Sequence, residues 1–495
     1  MLVPLDRSKP LAEQLHAHLA GAIRAGELRA GQRLPPTRRL AATHAISRNT
    51  VLAAYHQLAA EGYVDAHGAR GTVVAHDPPR TALDRPLRVR ASGAPTRPAG
   101  RISREGRGVR RFGEIFAPLT RLERPTLRWD FRYNASVADA TSRRAWTRIA
   151  RRRARSHETS PPPWNPARRP GLLNELLAQH LALTRGVRCE PRQIVLVGSP
   201  QSAFHLAAWL LAEPGDLVAM EDPHYLGVRH TFLARGARVH PVPVDERGLR
   251  TDLLPRGRGA RLVYTTPSHQ WPTGAALPLA RRFELLEWAR RERAWIVEND
   301  HNCEYLYEGT AVESVQGLDD SDRVIHVGTF SRLLEPYPSI AYTVVPTSLI
   351  DVFRGGTNLD GASFSALEIE TLVEFISGGH LERLLRRASR RMRALRKCLL
   401  DGLRELPAPV EVRPSTGGLH LYVRLPGWSV EDVDDLVARA ARAGVGIYPG
   451  APFYLRPPAV PGFLLGFAQM RPEDIRDGLS RLAPLLRERP PVRSA

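Results

Sequence analysis

The chain has few cysteines and lacks any long apolar run. Its 495 residues include three cysteines, Cys189, Cys303 and Cys398, which lie far apart in the sequence. An odd number without close spacing excludes a disulfide framework and a zinc-binding pattern, and it favours a reducing compartment. No apolar run reaches the roughly 20 residues of a membrane helix, and the first residues, MLVPLDRSKP, lack the apolar core of a signal peptide. These absences predict a cytoplasmic protein that does not bind a membrane.

Lysine is nearly absent, although the chain is strongly basic. Of 71 basic residues only Lys9 and Lys397 are lysines, and the formal net charge is +20. Codon bias in a GC-rich genome is the simplest explanation of the arginine excess. The arginines are also unevenly placed, because 77–128 holds thirteen arginines against five acidic residues and a second cluster, RRAWTRIARRRAR, occupies 143–155. Such clustering favours a polyanionic partner.

Residues 1–76 have the pattern of three helices followed by a hairpin. Apolar residues recur at every fourth position from Leu11 to Ile23, which predicts the first helix. PPTRRLAATH predicts a short second helix, and a third begins after Ser47, a good N-cap residue, and ends at Gly62. YVDAHGARGTVVAH predicts two short strands around a glycine-rich tip. Three helices and a hairpin in this order predict a winged helix-turn-helix.

DNA contacts are expected at three places on this predicted domain. The first turn of the third helix, with Arg48 and Asn49, faces base edges or phosphates in the major groove. Arg38 faces the phosphate backbone from the preceding helix, and Arg70 at the hairpin tip reaches a minor groove. The candidate DNA-binding residues are Arg38, Ser47, Arg48, Asn49, Thr50 and Arg70. The alternative is a winged helix that contacts only protein.

The segment GQRLPPTRRLAATHAISRNTVLAAYHQLAAEGYVDAHGARGTVV resembles the DNA-binding domain of the GntR family of bacterial repressors and activators. The resemblance extends along its whole length. It includes the LP-x-x-R-x-L-A run, the S-R-N-T-V start of the third helix and the E-G-Y before the wing. The resemblance implies that the partner is double-stranded operator DNA.

The rest of the chain divides into a linker and a large α/β region. Residues 77–125 are rich in Pro, Arg, Gly and Ser, which predicts a basic flexible linker. Strands then alternate with helices, as in QIVLVGSPQSAFHLAAWLL. Repeated βα units predict a mostly parallel sheet covered by helices over 126–390, and 391–495 adds a small α+β subdomain. The predicted fold is therefore multidomain, a mainly α winged helix-turn-helix followed by an α/β domain.

This α/β region resembles a fold-type-I aminotransferase, the fold of many pyridoxal-phosphate (PLP) enzymes. The strongest matches are TPSHQWPTG at 266–274, AWIVENDHNCEY at 294–305 and VIHVGTFSRLLEP at 324–336. Together with the GntR-type segment, nearly the whole chain resembles the MocR/GabR subfamily of transcriptional regulators. The resemblance implies a homodimer whose aminotransferase-like domain senses a small molecule through PLP.

Several positions that hold PLP in that family carry other residues here. The Schiff-base lysine position holds Arg332, whose guanidinium stays protonated and cannot form an imine. The carboxylate expected at the pyridinium nitrogen falls on Asn299, and the tyrosine beside the ring oxygen falls on His301. The arginine that holds the phosphate falls on Ser339. Tyr225 matches the aromatic residue that stacks on the ring.

The phosphate cradle is altered as well. It reads GSPQS, in which Pro200 removes one backbone donor between Ser199 and Gln201. We therefore expect no catalytic residue, no metal site and no covalent cofactor, with PLP bound non-covalently or not at all. The candidate ligand-pocket residues are Ser199, Gln201, Tyr225, Asn299, His301, Arg332 and Ser339.

The favoured interpretation is a bacterial DNA-binding transcriptional regulator that is not an enzyme. Its aminotransferase-like domain would dimerise and sense an unknown small anionic effector, since an arginine fork suits a carboxylate or a phosphate. Four alternatives stay open at this point: a decayed pocket kept only for dimerisation, a PLP-responsive regulator, a working PLP-dependent aminotransferase, and an architectural DNA-binding protein that senses nothing.

Overall fold

The computed structural model describes residues 5–7, 9–66, 71–78, 102–120, 127–133, 135–159, 171–257, 259–308, 313–335, 337, 340–407 and 409–487. The chain forms two compact units, Met1–Gly100 and Arg101–Ala495. Among the described residues, no helix has both the length and the hydropathy needed to span a bilayer.

The first unit contains the predicted three helices and hairpin. Its elements are α1 (Leu11–Arg24), α2 (Thr37–His44), α3 (Arg48–Ala60), β1 (Val64–Ala66) and β2 (Thr72–Val74). β1 and β2 pair antiparallel, as expected for a wing. This confirms the winged helix-turn-helix fold.

Capping and core packing fix the third helix. Ser47 Oγ accepts a hydrogen bond from the backbone N–H of Thr50 at 3.0 Å, which satisfies one of the unpaired donors of the first turn. The apolar residues Leu15, Val51 and Leu58 are fully buried between the helices. Tyr55 Oη donates to the carbonyl of Pro35 at 2.8 Å and ties α3 to the segment before α2. The exposed first turn of α3 is therefore held on a rigid support.

The second unit contains twelve helices and fourteen strands in its described part. The helices are α4 (Arg104–Thr120), α5 (Ala140–Thr159), α6 (Leu172–Arg185), α7 (Pro200–Leu211), α8 (Leu226–Ala234), α9 (Leu279–Glu292), α10 (Ser331–Leu334), α11 (Ile350–Leu359), α12 (Ala366–Ser377), α13 (His380–Arg404), α14 (Val430–Arg442) and α15 (Pro472–Arg487). The strands are β3 (Trp129–Asp130), β4 (Ile194–Val197), β5 (Leu217–Asp222), β6 (Arg238–Asp245), β7 (Gly248–Leu249), β8 (Ala260–Thr265), β9 (Trp295–Asn299), β10 (Val324–Thr329), β11 (Ala341–Val344), β12 (Glu411–Val412), β13 (His420–Arg424), β14 (Val445–Gly446), β15 (Tyr448–Pro449) and β16 (Gly462–Gly466).

Eight of these strands form one mixed sheet in the order β4-β11-β10-β9-β8-β5-β6-β7. The run from β10 to β6 is parallel, whereas β11 lies antiparallel to both of its neighbours. Strands such as β4 are buried along their whole length, as expected when helices cover both faces of a sheet. The predicted mostly parallel α/β sheet is confirmed.

The small subdomain is built on a four-stranded antiparallel sheet in the order β12-β13-β16-β15. Its boundaries differ from those expected at 391. The helix α13 runs without a break across that position, because one apolar stripe continues from Leu381 to Leu403. β3 pairs with β14, so the chain near 130 joins the small subdomain although the sequence analysis assigned it to the large domain.

The segment expected to be a flexible linker contains the helix α4. This helix packs along α8, with the ring of Phe112 centred 5.0 Å from that of His230 and Glu105 paired with Arg235 at 3.6 Å. Composition averaged over 77–125 does not reveal this helix, whose signal is the helical spacing of Val109, Phe112 and other apolar residues in the second half of the segment. Residues 79–101 lie outside the described part of the chain.

Candidate functional site

A cavity of about 250 Å³ lies at the carboxyl ends of the central parallel strands. Ser199 follows β4, Tyr225 follows β5, Asn299 ends β9 and Thr329 ends β10. Ligands of open α/β sheets bind at this edge, because loops and helix N-termini converge there. The residues that line the cavity are Ser199, Pro200, Gln201, Phe204, Tyr225, Trp271, Asn299, His301, Asn302, Thr329 and Arg332.

The structure brings most of the predicted ligand-pocket residues together. Six of the seven line this cavity: Ser199, Gln201, Tyr225, Asn299, His301 and Arg332. Ser339 lies outside the described residues. The cavity is also lined by four residues that were not predicted from the sequence: Phe204, Trp271, Asn302 and Thr329. Trp271, Asn302 and Thr329 lie within the three segments that resemble the aminotransferase family, and that location was the signal that could have identified them.

Arg332 places a guanidinium in the cavity wall at the start of α10. Its Nη1 donates to Glu335 Oε2 at 3.2 Å, and the two side chains are 36% and 52% exposed. An ion pair this exposed contributes about 0–1 kcal/mol. Its carbonyl oxygen accepts from the N–H of Val137 at 3.0 Å, which fixes the backbone at this point. Arg332 therefore brings a positive charge to the cavity on a fixed backbone.

Asn299 presents an amide to the cavity at the position where the aminotransferase family carries a carboxylate. Its Nδ2 donates to Tyr264 Oη at 2.8 Å. Asp300, the next residue, does not line the cavity and pairs with Arg185, whose Nη2 also donates to Ser268 Oγ at 2.6 Å. Burial alone would raise the pKa of Asp300, but the Arg185 guanidinium outweighs it and holds that pKa well below its usual range. The Asp300 carboxylate is thus ionised, and the Arg185 guanidinium balances its charge outside the cavity.

Neutral aromatic and imidazole rings form another wall. The ring of His301 is centred 5.8 Å from Trp271 and 5.9 Å from His269. Burial, with a further contribution from His420, lowers the pKa of His301 to about 4, so that the imidazole is neutral at pH 7. Both ring nitrogens of His301 and the Nε1 of Trp271 lack hydrogen-bond partners among the described residues. These buried polar atoms are available to a bound molecule.

No group of three or more His, Cys, Asp or Glu side chains in the described part of the chain is arranged to hold a metal ion. The neutral imidazoles therefore serve as polar edges of an aromatic wall.

The N-terminus of α7 keeps only part of an anion cradle. Ser199 caps the helix and accepts from the N–H of Ser202 at 3.1 Å, while Pro200 at the first position has no N–H. The side chain of Gln201 is directed to α8, where its Nε2 donates to Thr231 Oγ1 at 2.6 Å. This turn therefore offers fewer donors than the family pattern implies.

The groups that line the cavity do not match those needed by covalently bound PLP. An imine needs a primary amine, and a protonated ring nitrogen needs a facing carboxylate. The described lining residues include neither. Lys397 lies on α13 and pairs with Asp401 at 2.6 Å, and Lys9 belongs to the other unit. The fold implies this cofactor, whereas the residues present do not fit its covalent form.

The described candidate DNA-binding residues lie on α2, on α3 and at the N-cap of α3. Arg38, Arg48 and Asn49 are exposed, and the last two occupy the first turn of α3. The hydroxyl groups of Ser47 and Thr50 hydrogen-bond each other at 2.8 Å, and Ser47 Oγ also caps α3. Part of their hydrogen-bonding capacity is therefore used within the protein. Arg70 lies outside the described residues. The structure thus presents two arginines and one amide on neighbouring exposed helix starts.

Comparisons with known proteins agree with this architecture. Residues 11–74 match the bacterial regulatory proteins of the gntR family, and residues 162–482 match aminotransferase class I and II. The probable rhizopine catabolism regulatory protein MocR of Rhizobium meliloti is 34% identical, over 97% of this chain and 95% of its own length. The HTH-type transcriptional regulator TauR of Rhodobacter capsulatus is 31% identical over 96% of both chains.

A solved structure shows the same fold in the second unit. The multiple substrate aminotransferase of Thermococcus profundus aligns with a TM-score of 0.68 and 24% identity, covering 78% of this chain and 98% of that one. Similarity at this level supports the fold alone. The curated relatives, in contrast, match over both units. The chain therefore belongs to the MocR/GabR-type regulators of the GntR family, in which a helix-turn-helix domain precedes an aminotransferase-like domain.

Proposed function

We propose that this protein is a dimeric, cytoplasmic, DNA-binding transcriptional regulator whose aminotransferase-like unit binds a small anionic effector without a covalent bond to PLP. The DNA-binding part rests on the match of 11–74 to the GntR family and on the regulator names of its relatives. The positive charges of Arg38 and Arg48 suit contacts with phosphates. The Asn49 amide and the Arg48 guanidinium can also hydrogen-bond to base edges.

The observation that carries the effector proposal is the charge of the cavity. Arg332 is the one side chain with a formal charge at pH 7 among the described lining residues, because His301 is neutral and Asp300 is paired elsewhere. Glu335, which pairs with Arg332, is half exposed and is not among the described lining residues, so the guanidinium still gives the cavity a positive side that favours a carboxylate or phosphate ligand. The rings of Tyr225 and Trp271 and the amide of Asn299 add planar surfaces and polar contacts for the rest of the molecule.

Transamination is not part of this proposal. A guanidinium at position 332 cannot become the nucleophile that attacks an aldehyde, and the described cavity wall contains no other amine. The aminotransferase-like unit therefore acts as a binding and dimerisation domain.

A thermal-shift titration tests the effector proposal. The full-length protein is titrated with succinate, benzoate and glycerol 3-phosphate, and in parallel with their uncharged counterparts succinamide, benzamide and glycerol. At least one anion should raise the melting temperature with saturation, while its neutral counterpart does not. Stabilisation should follow mass action, about 2.7 kcal/mol at one hundred times Kd.

Two variants make the titration specific. Arg332→Gln should abolish the response, whereas Arg290→Gln, at an exposed arginine on α9, should leave it unchanged. Equal responses of Arg332→Gln and the unmodified protein would remove Arg332 from the binding site. Stabilisation by the neutral counterparts alone would reject an anionic effector.

A further inference from the structure

A second, strongly basic depression lies along α5, apart from the ligand cavity. Its volume is about 950 Å³. We call it the arginine groove. Its lining residues are Ala140, Arg143, Arg144, Thr147, Arg148, Arg151, Arg152, Arg155 and Tyr337. All six arginines are exposed on the helix.

The spacing of these arginines gives a continuous line of charge. Arg144, Arg148, Arg151 and Arg155 recur at intervals of four, three and four residues, which places them on one face of α5. At about 1.5 Å per residue the line is roughly 16 Å long. Duplex DNA carries one phosphate per about 3.4 Å along each strand, so several phosphates fall within that length.

Little of this charge is neutralised within the protein. In the described part of the chain, the carboxylate that pairs with α5 is Glu374, which contacts Arg152 and Arg153 at the edge of the groove. The structure places no described carboxylate within ion-pair distance of Arg148, Arg151 or Arg155. These three guanidinium groups therefore meet solvent and its counterions.

The groove has a rigid floor. Trp146 and Ile149 form the buried face of α5, and the ring of Tyr337 stacks on Trp146 with the ring centres 5.8 Å apart. At the start of the helix, Arg387 Nε donates to Asp139 Oδ2 at 2.7 Å, and its Nη2 donates to Ser142 Oγ at 2.9 Å. The helix carrying the arginines is thus fixed at its start and along its buried face.

We propose that the arginine groove binds the phosphate backbone of duplex DNA and adds a contact without sequence preference to that of the winged helix. Duplex DNA is the polyanion that a GntR-type domain brings to this chain, so the inference rests on the DNA-binding part of the proposed function. Guanidinium–phosphate contacts release condensed counterions, and the binding free energy gained from this release does not depend on the DNA sequence. The line of arginines suits this role because it presents exposed guanidinium groups over roughly 16 Å, a length that spans several phosphates of one strand.

Salt-dependent binding of the full-length protein tests the groove. Fluorescence anisotropy with a mixed-sequence duplex of about 60 bp measures log K against log salt. The groove variant is Arg148→Gln, Arg151→Gln, Arg155→Gln. The control is Arg291→Gln, Arg442→Gln, Arg476→Gln, three exposed arginines on α9, α14 and α15 with the same loss of charge. We expect the slope to shrink by about 0.9 for each lost phosphate contact in the groove variant, and to keep its value in the control.

Repeating both triple changes together with Arg48→Ala separates the groove from the winged helix. In proteins that also carry Arg48→Ala, the slope of log K against log salt should still be smaller for the groove variant than for the control. Identical slopes for the groove variant and the control would overturn the proposal while leaving DNA binding by the winged helix intact. Unchanged slopes together with a loss of self-association in sedimentation would assign the face to contact between copies of the chain. Tighter, groove-dependent binding of a single-stranded RNA than of the duplex would also overturn it.

Discussion

Arg185 and Asp300 form a buried ion pair that keeps the Asp300 carboxylate out of the ligand cavity. Arg185 Nε donates to Asp300 Oδ2 at 2.7 Å, and the two side chains are only 7% and 1% exposed. The preceding residue, Asn299, lines the cavity instead. Because successive side chains of an extended segment point in opposite directions, this one-residue difference decides whether a ligand meets an amide or a carboxylate.

Removing one partner of this pair should strongly destabilise the second unit. Arg185→Met leaves a buried, unpaired carboxylate, and we expect a loss of about 3–5 kcal/mol in urea unfolding. The double variant Arg185→Met, Asp300→Asn should recover most of that loss, because no uncompensated charge remains. A single variant that unfolds within about 1 kcal/mol of the unmodified protein would contradict the role given to the pair.

The pair also makes stability depend on acid pH. The folded-state pKa of Asp300 lies below its ordinary value of 3.8, so the unfolded chain takes up the proton first as the pH falls. The stabilisation is present above about pH 4 and is lost as the pH falls from there toward the folded-state pKa. Unfolding curves at pH 6, 4 and 3 should show this decline. The double variant should show a shallower one.

PLP should form no imine with the unmodified protein. Incubation with PLP and borohydride should leave residue 332 unlabelled in peptide mass spectrometry, because an arginine presents no amine. Arg332→Lys alone should restore little, since Asn299 supplies no carboxylate for the ring nitrogen. The triple variant Arg332→Lys, Asn299→Asp, Ser339→Arg should absorb between about 330 and 430 nm more strongly than the single variant. An unmodified protein that purifies yellow with a reducible adduct would reject this reading of the cavity.

Arg48 should contribute to recognition of the operator. Arg48→Ala is expected to weaken operator binding by about 1–3 kcal/mol, because the residue lies in the first turn of the predicted recognition helix. A gel-shift titration against an operator selected from random duplexes measures the change. Arg24→Ala, at an exposed arginine in the last turn of α1, is the control. If both variants bind the operator alike, α3 does not read DNA through Arg48.

The burial of neutral His301 should make the second unit less stable on mild acidification. The folded-state pKa of His301 is about 4 against an ordinary 6.5, so the unfolded chain binds the extra proton between these values. Stability should therefore fall as the pH drops from about 6.5 to 4, by at most roughly 1.4 kcal/mol per pH unit for this side chain. His301→Gln should flatten the decline in urea unfolding. His56→Gln, on the exposed face of α3, should not.

Much of the fold could be predicted from local sequence patterns and from the family resemblance. The N-cap at Ser47 and the repeated βα units are local signals, and the structure contains both. The resemblance also selected six residues that line one cavity, because they follow strands whose carboxyl ends meet at the same edge of the sheet.

Contacts between segments far apart in the chain could not be predicted from local sequence patterns. Arg185 lies 115 residues before Asp300, and no local pattern links them. His420 reaches the aromatic wall from the small subdomain, with its ring 4.8 Å from that of Trp271. The helix α4 was overlooked because proline and arginine elsewhere in 77–125 dominated the composition of the segment.

The packing of α4 on α8 brings α4 and the ligand cavity against the same aromatic cluster. Phe112 of α4 and Tyr225, which lines the cavity, pack against one aromatic cluster that includes Trp271. If an effector moves Tyr225 and the movement shifts this cluster, it changes the free energy of docking α4. Thermodynamic reciprocity then requires that whatever displaces α4 changes the affinity for the effector by the same factor. Effector titrations with and without operator DNA would measure that coupling from either end.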